Sequence, residues 1–291
     1  MWEGGLLAAG GAEGRVLKTP LAVFCTGTDF AIVRGMKTDM QNQVERVDRI
    51  GLSLQTTLVK NQGLMVVVGR DGQGRDIAFD LATLPHLLIG GSTGSGKSVC
   101  IKSILSQLMR TKTPDEVKFI IYDEKCIEFR RMGNCPYLFK PVITDPQVLL
   151  SVLEALRDEL EDRTQAIRNG DPVPRIVVVA DEYAALMVSH SERATPLLAK
   201  MLVLGRAAGV HFVFATQRPD EVVMSPPLRC GFPGRIVFKV AFEEDSRMII
   251  DENGADRLNG KGDFLFRDST GLHRGQIPYI SDEDFESLCA R

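Results

Sequence analysis

Residues 90–98 read Gly-Gly-Ser-Thr-Gly-Ser-Gly-Lys-Ser. They lie between the apolar run His86-Leu87-Leu88-Ile89 and a stretch carrying Ile101, Ile104, Leu105, Leu108 and Met109 at helical intervals. The pattern G-x-x-x-x-G-K-S, held by Gly91, Gly96, Lys97 and Ser98, requires a strand entering it and a helix leaving it, and both flanks are present. Glycines let the backbone turn its N–H groups inward, and the helix behind adds partial positive charge at its N-terminus. The stretch is therefore read as a cradle for nucleotide phosphates, built by Gly91, Ser92, Thr93, Gly94, Ser95, Gly96, Lys97, Ser98 and Val99. Lys97 is expected at the β- and γ-phosphates and the Ser98 hydroxyl on Mg²⁺.

The segments around the loop follow one rhythm. "LMVVVG" and "DIAFDL" flank the turn Asp71-Gly72-Gln73-Gly74 and predict a hairpin. "VKFIIYD", "RIVVVAD", "VHFVFAT" and "RIVFKV" are apolar runs of the kind buried on both faces of a sheet. Between them lie a long amphipathic stretch, "DPQVLLSVLEALRDELEDRTQAI", and a helix around "PLLAKMLVLGRAAG". Alternation at these lengths predicts an α/β core with a mostly parallel sheet sandwiched by helices over residues 64–291. Residues 1–63 read as a small N-terminal α/β appendage, with "LAVFCTGTDFAIVRG" strand-like and Val44, Val47, Leu54 and Leu58 at helical spacing.

A phosphate loop serves switches, small-molecule kinases and motors alike, so neighbouring residues must discriminate. "RIVVVADEY" ends an all-apolar strand in two acids, which puts Asp181 at the strand tip beside the loop. Asp181 is expected in the Mg²⁺ shell and Glu182 as the group that polarises an attacking water. That pair favours ATP hydrolysis over phosphorylation of a small molecule. A guanine-reading Asn-Lys-x-Asp does not occur; the nearest stretch, "NGKGD", has the wrong order. Thr216 and Gln217 end the next strand, where Gln217 would sense the γ-phosphate or orient water.

Composition limits the partners. Net charge is −3, so no global basic field marks a coating protein, although a motor gripping DNA through a few loops remains compatible. The six cysteines form no CxxC pair, which fits reduced thiols in a cytoplasmic protein. No stretch of about 18 apolar residues occurs, so no membrane span is expected.

The ordered set "LPHLLIGGSTGSGKSV", "IVVVADEYAALM", "RAAGVHFVFATQRP", "PGRIVFKVAFEEDSRMIID" and "LNGKGDFLFR" resembles the motor domain of the FtsK/SpoIIIE family of DNA translocases. The likeness runs from about Asp48 to the C-terminus. It implies a RecA-like P-loop ATPase core, a hexameric homo-oligomeric ring around double-stranded DNA, and an N-terminal appendage stacking as a second ring. By position, Arg206 resembles the arginine that reaches into a neighbouring subunit's site, with Arg235 and Arg247 as competing candidates. The stretch "RPDEVVMSPPLRCG", with Arg218 and Arg229, is a candidate DNA-contacting loop.

The chain departs from the family pattern in three places. Glu124 stands where relatives usually have proline, though Asp123, Lys125 and Glu128 remain. The acidic "SDEDFESLCAR" reads as a capped helix, Ser281 and Asp284 in capping-box relation, and neither a winged-helix domain after it nor a membrane anchor is expected. These departures lead to the expectation of a compact accessory relative from a mobile element or conjugation system, working with a membrane-anchored or relaxosome-type partner protein. Two alternatives stay open: the same motor core acting on a polypeptide, as in secretion machines, and a nucleotide-binding assembly scaffold.

Overall fold

The computed structural model of the chain describes residues 63–290. The appendage expected over residues 1–63, with its strand-like and helical stretches, lies outside the described residues apart from Gly63.

Among the described residues nine strands form one sheet. They are β1 (Met65–Arg70), β2 (Asp76–Asp80), β3 (His86–Gly90), β4 (Val117–Tyr122), β5 (Arg175–Ala180), β6 (Val210–Thr216), β7 (Gly234–Phe238), β8 (Asp263–Asp268) and β9 (Gly271–Gln276). The order is β2-β1-β9-β8-β7-β3-β6-β5-β4. From β7 to β4 every pairing is parallel. From β2 to β7 every pairing is antiparallel. Strands β3, β5 and β6 are almost wholly buried, which is why they carry unbroken apolar runs rather than alternation. The expected hairpin forms as β1 and β2, with a register shift between Val67 and Gly69.

Helices cover both faces. α1 (Lys97–Thr111) buries Ile101, Ile104, Leu105 and Leu108 on one face, with Phe119, Val177 and Val213. On the other face, α2 (Pro146–Asp158) packs Leu149, Leu153 and Leu156 in the cluster that also holds Ile176, Val178 and Phe212. The long helix expected after residue 145 is split, with α3 (Leu160–Asn169) following α2 after Glu159. Five α2 side chains are buried but only Leu160 of α3 is, and Arg163 draws α3 toward the carbonyls of Pro174 and Ala208. α4 (Ala184–Leu204) begins well before the stretch read as helical and is interrupted at His190, whose φ of −141° is not helical. The short α5 (Pro226–Gly231), α6 (Glu243–Ile250) and α7 (Asp282–Cys289) complete the fold. Ser281 caps α7 by accepting from the Asp284 N–H, as expected.

The register aligns one edge of the parallel block. Gly90 pairs with Thr216 and Val237, and Tyr122 pairs with Ala180. The residues that leave these strands, the phosphate loop, Asp123, Asp181, Gln217 and Lys239, therefore emerge along a common carboxyl edge, where ligands bind in open α/β sheets.

Candidate active site

Backbone shape comes first. Gly91, Gly94 and Gly96 have φ of 148°, 73° and 128°. A Cβ on Gly96 would stand 3.1 Å from Gly262 Cα, so a side chain is opposed by both conformation and space. α1 starts at Gly96 with no side-chain cap and no acid in its first turn. Its leading N–H groups thus stand open at the positive end of a fifteen-residue helix, the arrangement that binds phosphate. Ser95 closes the turn by donating through Oγ to the Ser92 carbonyl at 2.7 Å.

Lys97 is buried and donates to the carbonyls of Gly91 and Ser92 at 2.7 and 2.9 Å. Burial lowers its ammonium from the ordinary value to about 8, against the opposing pull of Asp181 and Glu182. Ser98 donates from Oγ to Asp181 Oδ1 at 3.0 Å. Burial pushes Asp181 up to about 6; the Ser98 bond opposes this, Glu128 and Asp123 add to it, and Lys97 opposes it. A hydroxyl and a carboxylate held this close at the foot of the loop fit Mg²⁺, which takes few protein ligands and completes its shell with water and phosphate oxygens.

Glu182 is held in place. Its Oε2 accepts from the Gln217 N–H at 2.8 Å and its Oε1 from the Ala184 N–H at 3.3 Å. Thr93 of the phosphate loop donates to Gln217 Oε1 at 2.6 Å. A chain of contacts therefore runs from loop to strand tip to acid. The connection after β6 is tied to the same strand end. Tyr183 donates its hydroxyl to the Val223 carbonyl at 2.8 Å and its N–H to Ala215 at 3.0 Å. Thr216 Oγ accepts from the Arg218 N–H at 3.0 Å, which shapes the turn leading out.

The arginines separate by position. Arg206 lies between α4 and β6, at the amino end of the parallel strands, and is exposed with no side-chain partner among the described residues. β6 spans seven residues, about 20 Å, so Arg206 lies roughly a strand length from the carboxyl edge that bears its own loop. Arg235 donates to Asp251 and to the carbonyls of Phe232 and Arg229, and Arg229 shares Asp251. Both are absorbed by internal contacts. Arg247 is half exposed and pairs with Glu243 at 3.4 Å. Arg218 is exposed in the turn after β6. Asp123 accepts from the N–H groups of Glu128 and Phe129, and Glu128 pairs with Lys102 at 2.6 Å.

The Thr93–Gln217 and Tyr183–Val223 contacts escape a reading of sequence, since neither pair shares an element or a spacing. Lys239 was within reach, because it ends a strand beside the loop as Asp181 does. Among the described residues no helix is long and apolar enough to cross a membrane.

Comparison with known proteins gives a consistent pattern. The model of the FtsK/SpoIIIE family matches residues 54–171 and 166–221. The DNA translocase FtsK of Leptospira interrogans is 36% identical over 255 residues, covering 80% of this chain and 27% of that one. That of Streptococcus agalactiae is 38% identical over 250 residues, covering 77% and 31%. This chain thus spans about a third or less of the length of those curated relatives. Among solved structures, the monomer form of the pCW3 conjugation coupling protein TcpA with ATPγS has a TM-score of 0.69 at 26% identity, covering 80% of this chain and 71% of that one. The cytoplasmic domain of the type VII secretion ATPase EccC from Thermomonospora curvata has a TM-score of 0.68 at 24% identity, covering 79% and 31%, and shares the fold.

Proposed function

The chain belongs to the FtsK/SpoIIIE family, and from that premise we propose that it is an ATP-hydrolysing motor that moves double-stranded DNA through a homo-oligomeric ring. The observation that carries this reading is the contact chain from Thr93 through Gln217 to Glu182, which joins the phosphate loop to the catalytic acid.

In this reading the loop N–H groups and Lys97 hold the β- and γ-phosphates. Ser98 and Asp181 hold Mg²⁺, which when bound neutralises charge on the phosphate oxygens. Glu182 takes a proton from water, the water oxygen bonds to the γ-phosphorus, and the bond to the bridging oxygen breaks, leaving ADP and phosphate. Each Glu182 oxygen accepts one backbone N–H and keeps a lone pair with which it can accept from water. Its Gln217 partner opens the connection that Tyr183 anchors at Val223, so a shift in that connection reaches the base directly. In this reading Arg218, exposed in the turn, touches backbone phosphates of DNA, a contact that senses the polymer rather than its sequence.

Arg206 supports the ring. It stands at the sheet edge opposite its own loop, so a role in stabilising transition-state charge is open to it only at a neighbour's site. Val203 and Leu204 beside it are exposed, in keeping with a face that meets another subunit. DNA as cargo is supported by the relatives at 36–38% identity, which are DNA translocases. The test is phosphate release across a salt series with and without duplex DNA. Stimulation that fades with salt and is lost in Glu182→Gln is expected. Rates indifferent to DNA but raised by an unfolded polypeptide would favour protein cargo. Equal negligible turnover in both proteins would favour a scaffold.

A further inference from the structure

His86 opens β3, wholly buried, at the end of the strand opposite the phosphate loop. Both its ring nitrogens are engaged. The Phe212 N–H approaches Nδ1 at 3.2 Å, and Nε2 lies 2.9 Å from the Leu202 carbonyl oxygen. A backbone N–H can only donate and a carbonyl can only accept, so Nδ1 is bare and Nε2 carries the proton. Burial lowers the imidazolium to about 4, with the Leu202 bond opposing, so this one neutral tautomer persists at neutral pH. The rings of Phe212 and Phe232 hold its plane, with centroids 5.2 and 6.5 Å away. An apolar ring of similar size would fill the space and leave both backbone groups unpaired.

The Leu202 carbonyl belongs to the last turn of α4, where carbonyls have no partner within the helix. His86 therefore caps that helix end from a separate strand. The turn that follows is tight. Gly205 donates its N–H to the Met201 carbonyl at 2.7 Å, Val210 to Gly205 at 2.8 Å and Gly209 to Arg206 at 3.2 Å. A Cβ on Gly205 would stand 2.8 Å from the Val210 carbonyl oxygen and 3.3 Å from His86 Cε1. The imidazole edge thus lies directly against the residue before Arg206. Arg163 holds the far side of the turn by donating to the Ala208 carbonyl at 3.1 Å. Within residues 205–209 only Arg206 and Ala207 are exposed. β3 therefore carries the phosphate loop at its carboxyl end and supports the arginine-bearing turn at its amino end.

On the reading that Arg206 acts at a neighbouring subunit's site, we propose that His86 is its positioning residue, the Nε2 proton fixing the path on which the chain leaves α4 and hence where the guanidinium is presented. A group that stabilises transition-state charge must be held within about 0.5 Å of its productive place. The Arg206 side chain has no partner among the described residues, so its backbone must supply that precision. His86 touches no nucleotide. It acts through Arg206, and its effect falls on the neighbour's site rather than on its own.

The experiment measures phosphate release and ATPγS affinity for the full chain and its variants, alone and mixed with excess Glu182→Gln. His86→Asn keeps an acceptor at the reach of Nδ1 and loses the donor at the reach of Nε2, whereas His86→Gln keeps that donor. His86→Asn alone should release phosphate about tenfold more slowly than the parent with ATPγS affinity unchanged, and His86→Gln should restore most of the rate. In the mixture, a His86→Asn subunit keeps its own Glu182 and receives a well-placed Arg206 from a Glu182→Gln neighbour. Its rate per subunit should therefore rise about fivefold, as should that of Arg206→Ala in the same mixture. A rise for Arg206→Ala with none for His86→Asn would overturn the proposal, because the defect would lie within its own subunit. So would parent-like turnover by His86→Asn. Absence of any rise for Arg206→Ala would instead sink the reading that this arginine acts in trans. Should His86→Asn fail to fold, His86→Phe, which fills the space beside Phe212 and Phe232 without offering a donor, enters the same mixture with the same outcomes.

Discussion

Lys97→Met removes a buried ammonium and keeps an unbranched side chain in its place. Burial moves that ammonium from 10.5 to about 8. At about 1.4 kcal/mol per pH unit, the nucleotide-free fold at pH 7 carries roughly 3 kcal/mol of unfavourable lysine desolvation. Below pH 8 the group is protonated in the folded and unfolded states, and the whole penalty is present. Between about 8 and 10.5 the folded state binds fewer protons than the unfolded one, so rising pH stabilises the parent fold. The variant lacks this dependence. Urea unfolding of both proteins without nucleotide, at pH 7 and pH 9.5, gives the difference in unfolding free energy at each pH. From pH 7 to 9.5 that difference should move by about 2 kcal/mol in favour of the parent. Comparing differences removes tyrosines and cysteines that titrate in both proteins, and removes the packing of the new methionine. A difference constant with pH, or one moving toward the variant, would refute the claim that the loop stores an under-solvated cation for phosphate to satisfy.

Two further outcomes follow from the same site. Asp181, pushed up to about 6 by burial, must lose its proton to hold a metal, so apparent Mg²⁺ affinity in the presence of ATPγS should fall about tenfold per pH unit below that value; a flat profile from pH 5 to 7 would exclude Asp181 as the carboxylate concerned. Gln217→Ala removes the side chain that joins Thr93 to the strand tip and leaves the backbone N–H on Glu182; single-turnover phosphate release should slow about 10- to 100-fold while ATPγS affinity changes less than about threefold. Loss of affinity with normal turnover would place Gln217 in binding instead.

The phosphate loop and the acid pair were legible in sequence because each sits at the end of an apolar run. In a parallel sheet, a strand end dictates where the next residue goes. Lys97, Ser98, Asp181 and Gln217 converge for that reason alone. The antiparallel half of the sheet was legible only in its first hairpin. β8 and β9 join through Asp268 and Gly271, and β9, "GLHRGQ", has little apolar content and buries only Gly275, so its pairing comes from backbone register rather than side chains. The split between α2 and α3 was hidden because heptad-like spacing runs through Leu160, and the divergence comes from Arg163 reaching carbonyls about 11 and 45 residues away. The arginines were ambiguous for a related cause. Arg235 and Arg229 look as free in sequence as Arg206, and only the fold brings Asp251 between them.

Movement itself is the most direct measurement. A duplex carrying a third strand bound along it can be incubated with the chain and ATP, and release of that third strand followed with time. The account predicts ATP-dependent displacement by the parent and none by Glu182→Gln, which should still bind nucleotide. Brisk, DNA-stimulated hydrolysis by the parent with the third strand left in place would contradict the claim that cleavage at this site drives DNA past the subunits.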